Sequence, residues 1–319
     1  MTRLRCAILD DYQNVALKLA DWTPLGGRLD ITVFDKPFSS GDDAAAALKD
    51  FEIICAMRER TPFPRPVLEA LPKLKLLITS GMRNAAIDLE AAKARGVTVC
   101  GTAMVGNPTA GLTIGLMLEL TRRIGFENAR MKAGAPWQVT LGEDLDGKTL
   151  GIVGLGKLGT RVAGIAQALG MKTIAWSTNL TPEACAKAGV TYATKDELFA
   201  NADVITIHVV LSDRSRGLVS RADLARMKPT AYLINTARGP IVDEAALLET
   251  LQARKIAGAG IDTYAHEPLP TDSPLRKLDN VVITPHLGYV TADNYRRIYA
   301  ETIEGIDAFL NSSPLRKLN

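Results

Sequence analysis

Short β-rich segments alternate with helical patterns along the whole of this 319-residue chain, and this alternation restricts the possible folds more than any other feature. Apolar, β-branched runs that are each followed by a helical pattern predict parallel strands covered by helices on both faces. A single compact sheet does not hold so many strands, so the sequence predicts an α/β protein with two doubly wound parallel sheets. The segments that read as strands are RCAIL, DITVF, EIICAM, LKLLITS, VTVC, TLGIVGL, MKTIAW, DVITIHVV, AYLINTA, GAGIDT and VVITPH.

The break between the two sheets is expected near Gly101 to Asn107. There the first alternation ends in VCGTAMVGNP, and a helix begins at about Pro108, a residue that suits the first helical turn because no amide hydrogen bond is needed there. After the last strand only one charged helix remains, from about Asp293 to Leu310. One helix cannot form a domain, so we expect it to pack on the N-terminal part.

The composition is that of a globular chain, with 47% hydrophobic and 23% charged residues. A net charge of +3 arises from 38 basic and 35 acidic residues scattered along the chain, so no basic block indicates nucleic-acid binding. No apolar run approaches the roughly 18 to 20 residues of a membrane span. Cys6, Cys55, Cys100 and Cys185 lack disulfide or metal-ligand spacing, which favours buried thiols in a reducing compartment. We expect a cytoplasmic protein with no metal, nucleic acid or membrane partner.

The segment LGIVGLGKLGTRVAGIAQALG reads as a strand, a glycine turn and an Ala-rich helix. In a dinucleotide-binding unit the first glycine permits a tight turn, the second lets the backbone approach a pyrophosphate, and the third lets the helix pack on the strand. Gly154, Gly156 and Gly159 stand in these places. The pattern predicts a dinucleotide site, with a purely structural turn as the alternative.

The strand that follows, KTIAW, lacks the acidic residue that usually holds the adenosine ribose. It ends in Trp176, Ser177, Thr178 and Asn179. Hydroxyl and amide groups bond either a ribose hydroxyl or a phosphate oxygen, and no carboxylate is present to repel a 2′-phosphate. We therefore expect either NAD or NADP as the cofactor, with NADP favoured if Arg214 or Arg216 of LSDRSRG reaches it.

Several strands end in residues that can carry chemistry. Open α/β sheets bind ligands at the carboxyl ends of their strands, so these residues are the candidate site. His208 could instead be a hydrogen-bonded residue near the core, and both roles stay open. The candidates at strand ends are His208, Arg238, Asp262, His266, Glu267 and His286.

Four motifs occur together in the order and spacing of one known family: GLGKLG, NTARGPIVDE, GAGIDTYAHEPLP and TPHLGYVT. The chain resembles the D-isomer-specific 2-hydroxyacid dehydrogenases over essentially its whole length. The resemblance implies two Rossmann-like domains: a discontinuous substrate domain, residues 1–102 and 287–319, and a dinucleotide-binding domain, residues 103–286, inserted into it. It also implies hydride transfer between NAD(P)H and the 2-oxo group of a small 2-oxo acid, to give a D-2-hydroxy acid.

The resemblance also implies the catalytic roles. Arg238 matches the arginine that binds the substrate carboxylate and polarises the 2-oxo group. His286 matches the acid/base that protonates the new hydroxyl, and Glu267 matches its carboxylate partner. A carboxylate beside an imidazole favours the imidazolium form, so a proton stays available near neutrality. His266 stands where the family tolerates many residues, and we expect a solvated loop side chain there.

The expected cofactor contacts combine the glycine turn with positions implied by the resemblance. Asp262, for example, matches an aspartate that approaches the nicotinamide carboxamide. The expected cofactor-binding residues are Gly154, Gly156, Lys157, Leu158, Gly159, Ser177, Thr178, Asn179, His208, Thr236, Ala237, Arg238, Asp262, His286 and Gly288.

The substrate loop departs from the pattern of the family, which typically reads GVGxDNID and here reads GMRNAAID. Met82 and Arg83 replace a small pair whose backbone amides receive the carboxylate. Arg83 either turns outward or selects a substrate with a second anionic or polar group. Arg60 lies in MRERTPF, a segment that the resemblance places near the same loop. The expected substrate-binding residues are Arg58, Gly81, Met82, Arg83 and Arg238.

Two classes of function share this fold and these catalytic residues. One is an enzyme acting on glyoxylate, hydroxypyruvate or a larger anionic 2-oxo acid. The other is an NAD-sensing scaffold of the C-terminal-binding-protein corepressor type, which usually carries disordered tails that this chain lacks, so we expect an enzyme. The resemblance further implies a homodimer through the nucleotide-binding domain. The apolar helix TAGLTIGLMLEL fits either that interface or an internal core.

Overall fold

The computed structural model describes residues 3–319, which form two compact units. The first unit combines the two ends of the chain, up to Gly106 and from Thr291 onwards, and the second runs from Asn107 to Val290. The expected boundaries lie four residues earlier at each junction. Each unit is built around a parallel sheet, which confirms the predicted α/β class with two sheets.

The first sheet has five parallel strands in the order β2-β1-β3-β4-β5. Strands β3 and β4 are buried at every position, as expected for strands covered on both faces. From β1 the chain adds β2 on one side of the sheet and then β3, β4 and β5 on the other. The residues that follow β1 and β3 therefore meet at a switch point. The strands are β1 (Leu4–Ile8), β2 (Leu29–Val33), β3 (Ile53–Ala56), β4 (Leu76–Thr79) and β5 (Thr98–Gly101).

The second sheet has seven parallel strands in the order β12-β11-β10-β9-β6-β7-β8, and its switch point lies between β6 and β9. Each predicted segment contains a strand. Strand β8 was not predicted, because its two residues are exposed and show no apolar pattern. The strands are β6 (Thr149–Val153), β7 (Lys172–Trp176), β8 (Thr191–Tyr192), β9 (Val204–Ile207), β10 (Tyr232–Asn235), β11 (Gly258–Ile261) and β12 (Val281–Ile283).

Helices connect the strands, and several begin at a capping side chain that the sequence makes visible. Helix α9, for example, starts with a capping box in which Thr194 and Glu197 bond each other's backbone amides. Short 3₁₀ turns cover 23–25, 239–241 and 274–277. The helices are α1 (Ala16–Leu19), α2 (Gly41–Leu48), α3 (Arg65–Glu69), α4 (Leu89–Ala94), α5 (Pro108–Arg122), α6 (Ile124–Lys132), α7 (Lys157–Ala168), α8 (Pro182–Lys187), α9 (Lys195–Asn201), α10 (Arg221–Arg226), α11 (Glu244–Gln252) and α12 (Ala292–Leu310).

The apolar helix α5 packs on α7 and on β10, β11 and β12 in the second unit. Its approach is close, because a side-chain carbon added to Gly260 would lie 3.1 Å from Leu116 Cβ. Leu116, Met117 and Leu120 are buried in this contact, and each such side chain contributes about 1.5 to 3 kcal/mol. One apolar face of α5 is therefore buried in the core of the second unit. Gly111 lies on another face of the helix, which is exposed.

Helix α12 completes the first unit, where it packs on α1 and β4. The buried Glu301 accepts a hydrogen bond from Ala103 N at 2.6 Å, and Asn294 Oδ1 accepts one from Val105 N at 3.1 Å. These bonds hold the segment that follows β5. That segment is therefore fixed by residues from the opposite end of the chain.

The last residues of the chain cover the edge of β5. Leu318 N donates to the Val99 carbonyl at 2.8 Å, and Asn319 Oδ1 accepts from Val99 N at 3.0 Å. Asn319 Nδ2 donates to the Val97 carbonyl at 2.8 Å. The backbone groups along this edge are thus paired rather than open to another strand.

All four cysteines are free and buried, in agreement with the expectation of unpaired thiols. Cys6 and Cys55 lie on neighbouring strands with their Sγ atoms 3.9 Å apart. The hydrogen bond with Cys6, together with burial, raises the pKa of the Cys55 thiol, so Cys55 stays protonated. Within residues 3–319, no helix is long and apolar enough to span a bilayer, and no cluster of three potential metal ligands occurs.

Candidate active site

The glycine turn after β6 lies at the switch point of the second sheet. Gly154 has a φ of +100°, and a side-chain carbon added to it would lie 2.7 Å from Val209 Cγ1. A carbon added to Gly159 would lie 2.1 Å from the Gly154 carbonyl oxygen, so α7 packs on β6 only with glycine there. Beside Gly156, no atom of the described residues lies within 4 Å of such a carbon. Packing requires two of the glycines, and the third leaves room for a ligand against the backbone.

Helix α7 begins directly after this turn, and no side chain caps its first amides. Gly156 is the N-cap residue, and the first turn carries Lys157 but no acidic residue. The first amides of a helix have no acceptor within the helix, and the helix dipole favours an anion beside them. The amides of Leu158 and Gly159 belong to this set. The residues present therefore fit the pyrophosphate of a dinucleotide.

The end of β7 offers hydroxyl and amide groups to an adenosine ribose, and no carboxylate. Ser177 is half-buried, whereas Thr178 and Asn179 are exposed. Arg214 and Arg216 are exposed in the loop after β9. Neutral donors and acceptors at this strand end do not discriminate between cofactors by charge.

His208 follows β9 on the other side of the switch point. Its Nε2 lies 3.0 Å from Thr206 Oγ1, and its Nδ1 is buried with no hydrogen-bond partner within the described part of the chain. Burial lowers the pKa of His208 to about 4, so the ring is neutral near pH 7. Because buried ring nitrogens normally have a partner, the free Nδ1 fits a ligand that supplies one, and the His208 backbone lies against Gly154.

Arg238 lies three residues after β10, and Asn235 holds its backbone. Asn235 Nδ2 donates to the Arg238 carbonyl at 3.0 Å, and Asn235 Oδ1 accepts from Ala237 N at 3.0 Å. Thr236 Oγ1 lies 2.9 Å from Thr113 Oγ1 on α5. Asn235 was not predicted as part of the site. A buried polar residue that ends an otherwise apolar strand is the signal that could have found it.

Glu267 and His286 form a close pair beyond the ends of β11 and β12. His286 Nδ1 lies 2.7 Å from Glu267 Oε2, and Tyr264 N donates to Glu267 Oε1 at 2.9 Å. A carboxylate only accepts, so Nδ1 carries the proton and Nε2 is the ring nitrogen left for another partner. Burial alone would raise the pKa of Glu267, but the hydrogen bond and charge of His286, the Tyr264 amide and the charge of Arg238 together lower it. Glu267 is therefore ionised near neutral pH. His266 is exposed in the same loop.

Asp262 is fully buried beneath His286, and its carboxylate organises the segment that carries His286. One oxygen accepts from Thr284 Oγ1 at 2.6 Å and from Leu287 N at 2.7 Å, and the other accepts from Gly288 N at 2.9 Å. His286 itself has a φ of +53°, in the left-handed region that few residues other than glycine adopt. Burial raises the pKa of Asp262, and the lowering effects of the three donors and of His286 only partly offset this.

In the first unit, the candidate substrate residues follow β3 and β4. Arg58 has a φ of +54°, and Ser80 Oγ accepts its amide at 2.8 Å while Asn84 Nδ2 donates to its carbonyl at 2.6 Å. The Arg58 guanidinium lies over Gly81, where an added side-chain carbon would be 2.1 Å from Nη1. A fixed backbone thus directs this arginine across the glycine.

The rest of the substrate loop is more open. Gly81 N donates to the buried Thr102 Oγ1 at 3.2 Å, so this amide is already engaged. Met82 and Arg83, which come next, are both exposed. Thr102 was not predicted as part of the site, because nothing in the sequence pairs the end of β5 with this loop.

Arg60 lies at the switch point of the first sheet. Its Nη1 donates to the Asp10 carbonyl at 3.0 Å, and its Cζ lies 4.6 Å from the centroid of the Tyr12 ring. Tyr12 Oη donates to Asp10 Oδ1 at 3.0 Å. Arg60 therefore has structural contacts of its own, which any functional test must separate from substrate binding.

A glycine turn, an uncapped helix N-terminus and strand-end polar groups at one switch point define a dinucleotide-binding protein. Residues 114–288 match the family described as D-isomer specific 2-hydroxyacid dehydrogenase, NAD binding domain. The chain is 30% identical to the hydroxypyruvate reductase of Blautia hydrogenotrophica over 326 aligned residues, which cover 99% of this chain and 100% of that protein.

Two further relatives support the same assignment. The chain is 35% identical to the D-3-phosphoglycerate dehydrogenase of Synechocystis over 286 residues, which cover 86% of this chain but 51% of that protein. A crystal structure of phosphoglycerate oxidoreductase from Vibrio cholerae matches with a TM-score of 0.92 at 36% identity, over 97% of this chain and 99% of that chain. This chain belongs to the D-isomer specific 2-hydroxyacid dehydrogenase family, as its four motifs predicted. It is an oxidoreductase that acts on a CH–OH group with NAD(P).

Proposed function

We propose that the protein reduces the 2-oxo group of a small 2-oxo acid to a D-2-hydroxy acid, and catalyses the reverse reaction. The observation that carries this proposal is the 2.7 Å pair of His286 and Glu267 in the same unit as Arg238. The substrate is of the glyoxylate or hydroxypyruvate type, or a larger anionic 2-oxo acid. The names of the hydroxypyruvate reductase and phosphoglycerate dehydrogenase relatives support that range.

In this proposal each catalytic residue has one task. Arg238 binds the substrate carboxylate and polarises the 2-oxo group, which suits a planar guanidinium. His286 donates the proton on Nε2 to the substrate oxygen during reduction, since Nδ1 is held by Glu267. Glu267 stays ionised and stabilises the imidazolium. NAD(P)H, when bound, supplies the hydride that adds to C2 of the substrate.

We propose that the second unit holds the cofactor, in line with the expected nucleotide-binding domain of residues 103–286. Residues 1–102 and 287–319 then form the substrate domain, with Arg58, Gly81, Met82 and Arg83 as its substrate-binding residues. The glycine turn and helix start hold the pyrophosphate, and the end of β7 holds the adenosine ribose. The remaining cofactor contacts in this proposal are His208, Thr236, Ala237, Arg238, Asp262, His286 and Gly288.

A substrate panel tests the reaction. The initial rate of NADH and NADPH oxidation would be measured with glyoxylate, hydroxypyruvate, pyruvate, phenylpyruvate and oxaloacetate, and the product configuration determined by chiral chromatography. Turnover of at least one acid to the D-product supports the proposal. No turnover of any 2-oxo acid, with cofactor binding intact, would overturn it.

Removing the charge of the acid/base partner is expected to change the pH dependence of reduction. In Glu267→Gln the imidazolium of His286 loses the carboxylate that favours it, so the alkaline limb of kcat should move to lower pH. The measurement is a kcat profile between pH 5 and about 10. Glu249→Gln, on the exposed side of α11, serves as the control. An unchanged profile in Glu267→Gln would contradict the assignment.

Substrate charge should reveal the role of the arginines in the first unit. If Arg83 or Arg60 binds a second anionic group, its replacement by Ala weakens dicarboxylic or phosphorylated substrates by about 1.5 to 3 kcal/mol, as for a hydrogen bond to a charged group. Glyoxylate should be nearly unaffected. The measurement is kcat/KM for each acid, with the exposed Arg65→Ala as control. Equal losses on all substrates would mean a structural arginine.

Cofactor preference should follow from the missing acid at position 177. We expect both NADH and NADPH to work, because Ser177 neither bonds both ribose hydroxyls as an acid does nor repels a 2′-phosphate. Ser177→Asp should create a preference for NADH, measured as the ratio of kcat/KM values. Thr191→Asp adds the same charge on the exposed strand β8 and is the control. A preference for NAD of about 10³, or 4 kcal/mol, in the unmodified chain would refute this interpretation.

We further propose a homodimer formed through the second unit, in a cytoplasmic protein. The segment from α6 to residue 141 exposes large apolar side chains, among them Leu141 at 98% and Trp137 at 66% exposure. Large apolar side chains exposed close together in the sequence favour an interaction site. The sedimentation coefficient as a function of protein concentration tests this proposal. The exposed residues are Ile124, Phe126, Met131, Trp137, Val139 and Leu141.

A further inference from the structure

The peptide bond between Tyr264 and Ala265 contacts Gly239 and Glu244, two residues outside the catalytic set. On one side lies Gly239, where an added side-chain carbon would be 2.1 Å from the Tyr264 carbonyl carbon and 2.4 Å from Ala265 N. No side chain fits between these two segments. The segment that carries Arg238 therefore packs directly on the segment that leads to Glu267.

The same peptide also contacts Glu244, in the first turn of α11. Its Oε2 accepts the hydrogen bond from Ala265 N at 3.0 Å. The start of α11 is itself fixed, because Asp243 caps the helix by accepting from Ala246 N at 3.0 Å. The dipole at the start of a helix favours a carboxylate at this place. Glu244 thus ties an exposed loop residue to a rigid helix end.

The neighbouring amide extends this connection to the catalytic pair. Tyr264 N donates to Glu267 Oε1, and Glu267 Oε2 bonds His286 Nδ1. Two successive amides, those of Tyr264 and Ala265, are therefore held by two carboxylates. Without Glu244, the Ala265 amide next to this pair would lose its acceptor.

We propose that Glu244 is a positioning residue which, with Gly239, fixes Glu267 relative to His286 and Arg238. The catalytic consequence rests on the proposed function, but the structural link does not. Glu244 acts through the Tyr264–Ala265 peptide, whose Ala265 amide it holds. It therefore aligns the proton donor and is not itself a catalytic residue.

Three variants of the full chain test the kinetic side. Glu244→Ala should lower kcat for 2-oxo acid reduction by about 10- to 10²-fold, as expected when a reacting group is slightly misplaced. It should also move the alkaline limb of the kcat profile to lower pH, because Glu267 is less firmly held against His286. Glu244→Gln keeps an oxygen that accepts the Ala265 amide and should retain most of the rate. The control is Glu90→Ala, because Glu90 likewise lies in the first turn of a helix, α4, that is capped by an aspartate. This variant should change neither kcat nor its pH profile.

Hydrogen exchange tests the link without turnover. Deuterium uptake in the peptide that spans residues 259–269 should be faster in Glu244→Ala than in the unmodified chain, and unchanged in Glu90→Ala. If the unmodified chain reduces no 2-oxo acid, the proposed function fails and the exchange result still decides the link. Unchanged exchange in Glu244→Ala, or a reduced rate with an unmoved pH profile, would overturn the positioning role.

Discussion

Replacing His286 by Ala is expected to lower kcat for 2-oxo acid reduction by about 10²- to 10⁴-fold, the usual contribution of a positioned general acid. The reason is geometric: Glu267 holds Nδ1 at 2.7 Å, and removal of the ring takes away the proton that Nε2 delivers in the proposed mechanism. KM should change less than kcat, because the proposed carboxylate-binding residue, Arg238, is still present. Rates would be measured by NAD(P)H oxidation at saturating substrate.

His266 provides the matched control for this variant. It is a histidine in the loop that also carries Glu267, but it is exposed. His266→Ala should therefore retain nearly full activity. A His286→Ala variant that keeps more than a fifth of the rate would show that another group supplies the proton.

The second large effect is expected from Asp262→Asn, a change that leaves the size of the side chain almost unaltered. The two carboxylate oxygens accept from Thr284, Leu287 and Gly288, and an Asn amide would turn one acceptor into a donor that faces another donor. One buried amide then loses its partner, which costs about 1 to 3 kcal/mol of unfolding free energy. Loss of these bonds should also displace His286, and this misplacement should lower kcat by about 10²-fold.

Two measurements separate the possible roles of Asp262. Denaturant unfolding reports the stability loss, and the Kd for NADH reports whether this residue also contacts the nicotinamide carboxamide, as the resemblance implies. Asp279→Asn, an exposed aspartate before β12, is the control for both. A normal kcat with weakened NADH binding would show that Asp262 serves the cofactor and not the His286 segment.

The sequence predicted the parts of the fold and site that depend on neighbouring residues. The glycine turn is an example, because the tight turn at Gly154 and the close packing at Gly159 are local requirements of a strand followed by a helix. The alternation of apolar runs likewise predicted both sheets. Strand β8 was not predicted, because its two exposed residues show no apolar pattern.

The contacts that organise the site could not be predicted in the same way. Asp262 meets its donors more than 20 residues further along the chain, and Gly239 meets Tyr264 across a similar separation. No periodicity links such positions. Asp262 and its donors become neighbours only after β11 and β12 pair, and Gly239 and Tyr264 only after β10 and β11 pair. The role of Thr102 beneath Gly81 depends equally on the pairing of β4 with β5.

The origin of α12 at the far end of the chain has a consequence for synthesis on the ribosome. Residues 4–101 supply all five strands of the first sheet, but the bond from Leu318 to Val99 in β5 and the bond from Ala103, just after β5, to Glu301 require the last helix and tail. All of residues 107–290 are made in between, which takes on the order of 10 to 40 s at ordinary elongation rates. During that interval the β5 edge of the nascent first sheet lacks the C-terminal segment that covers it. The first unit can therefore be completed only after the inserted second unit has been synthesised.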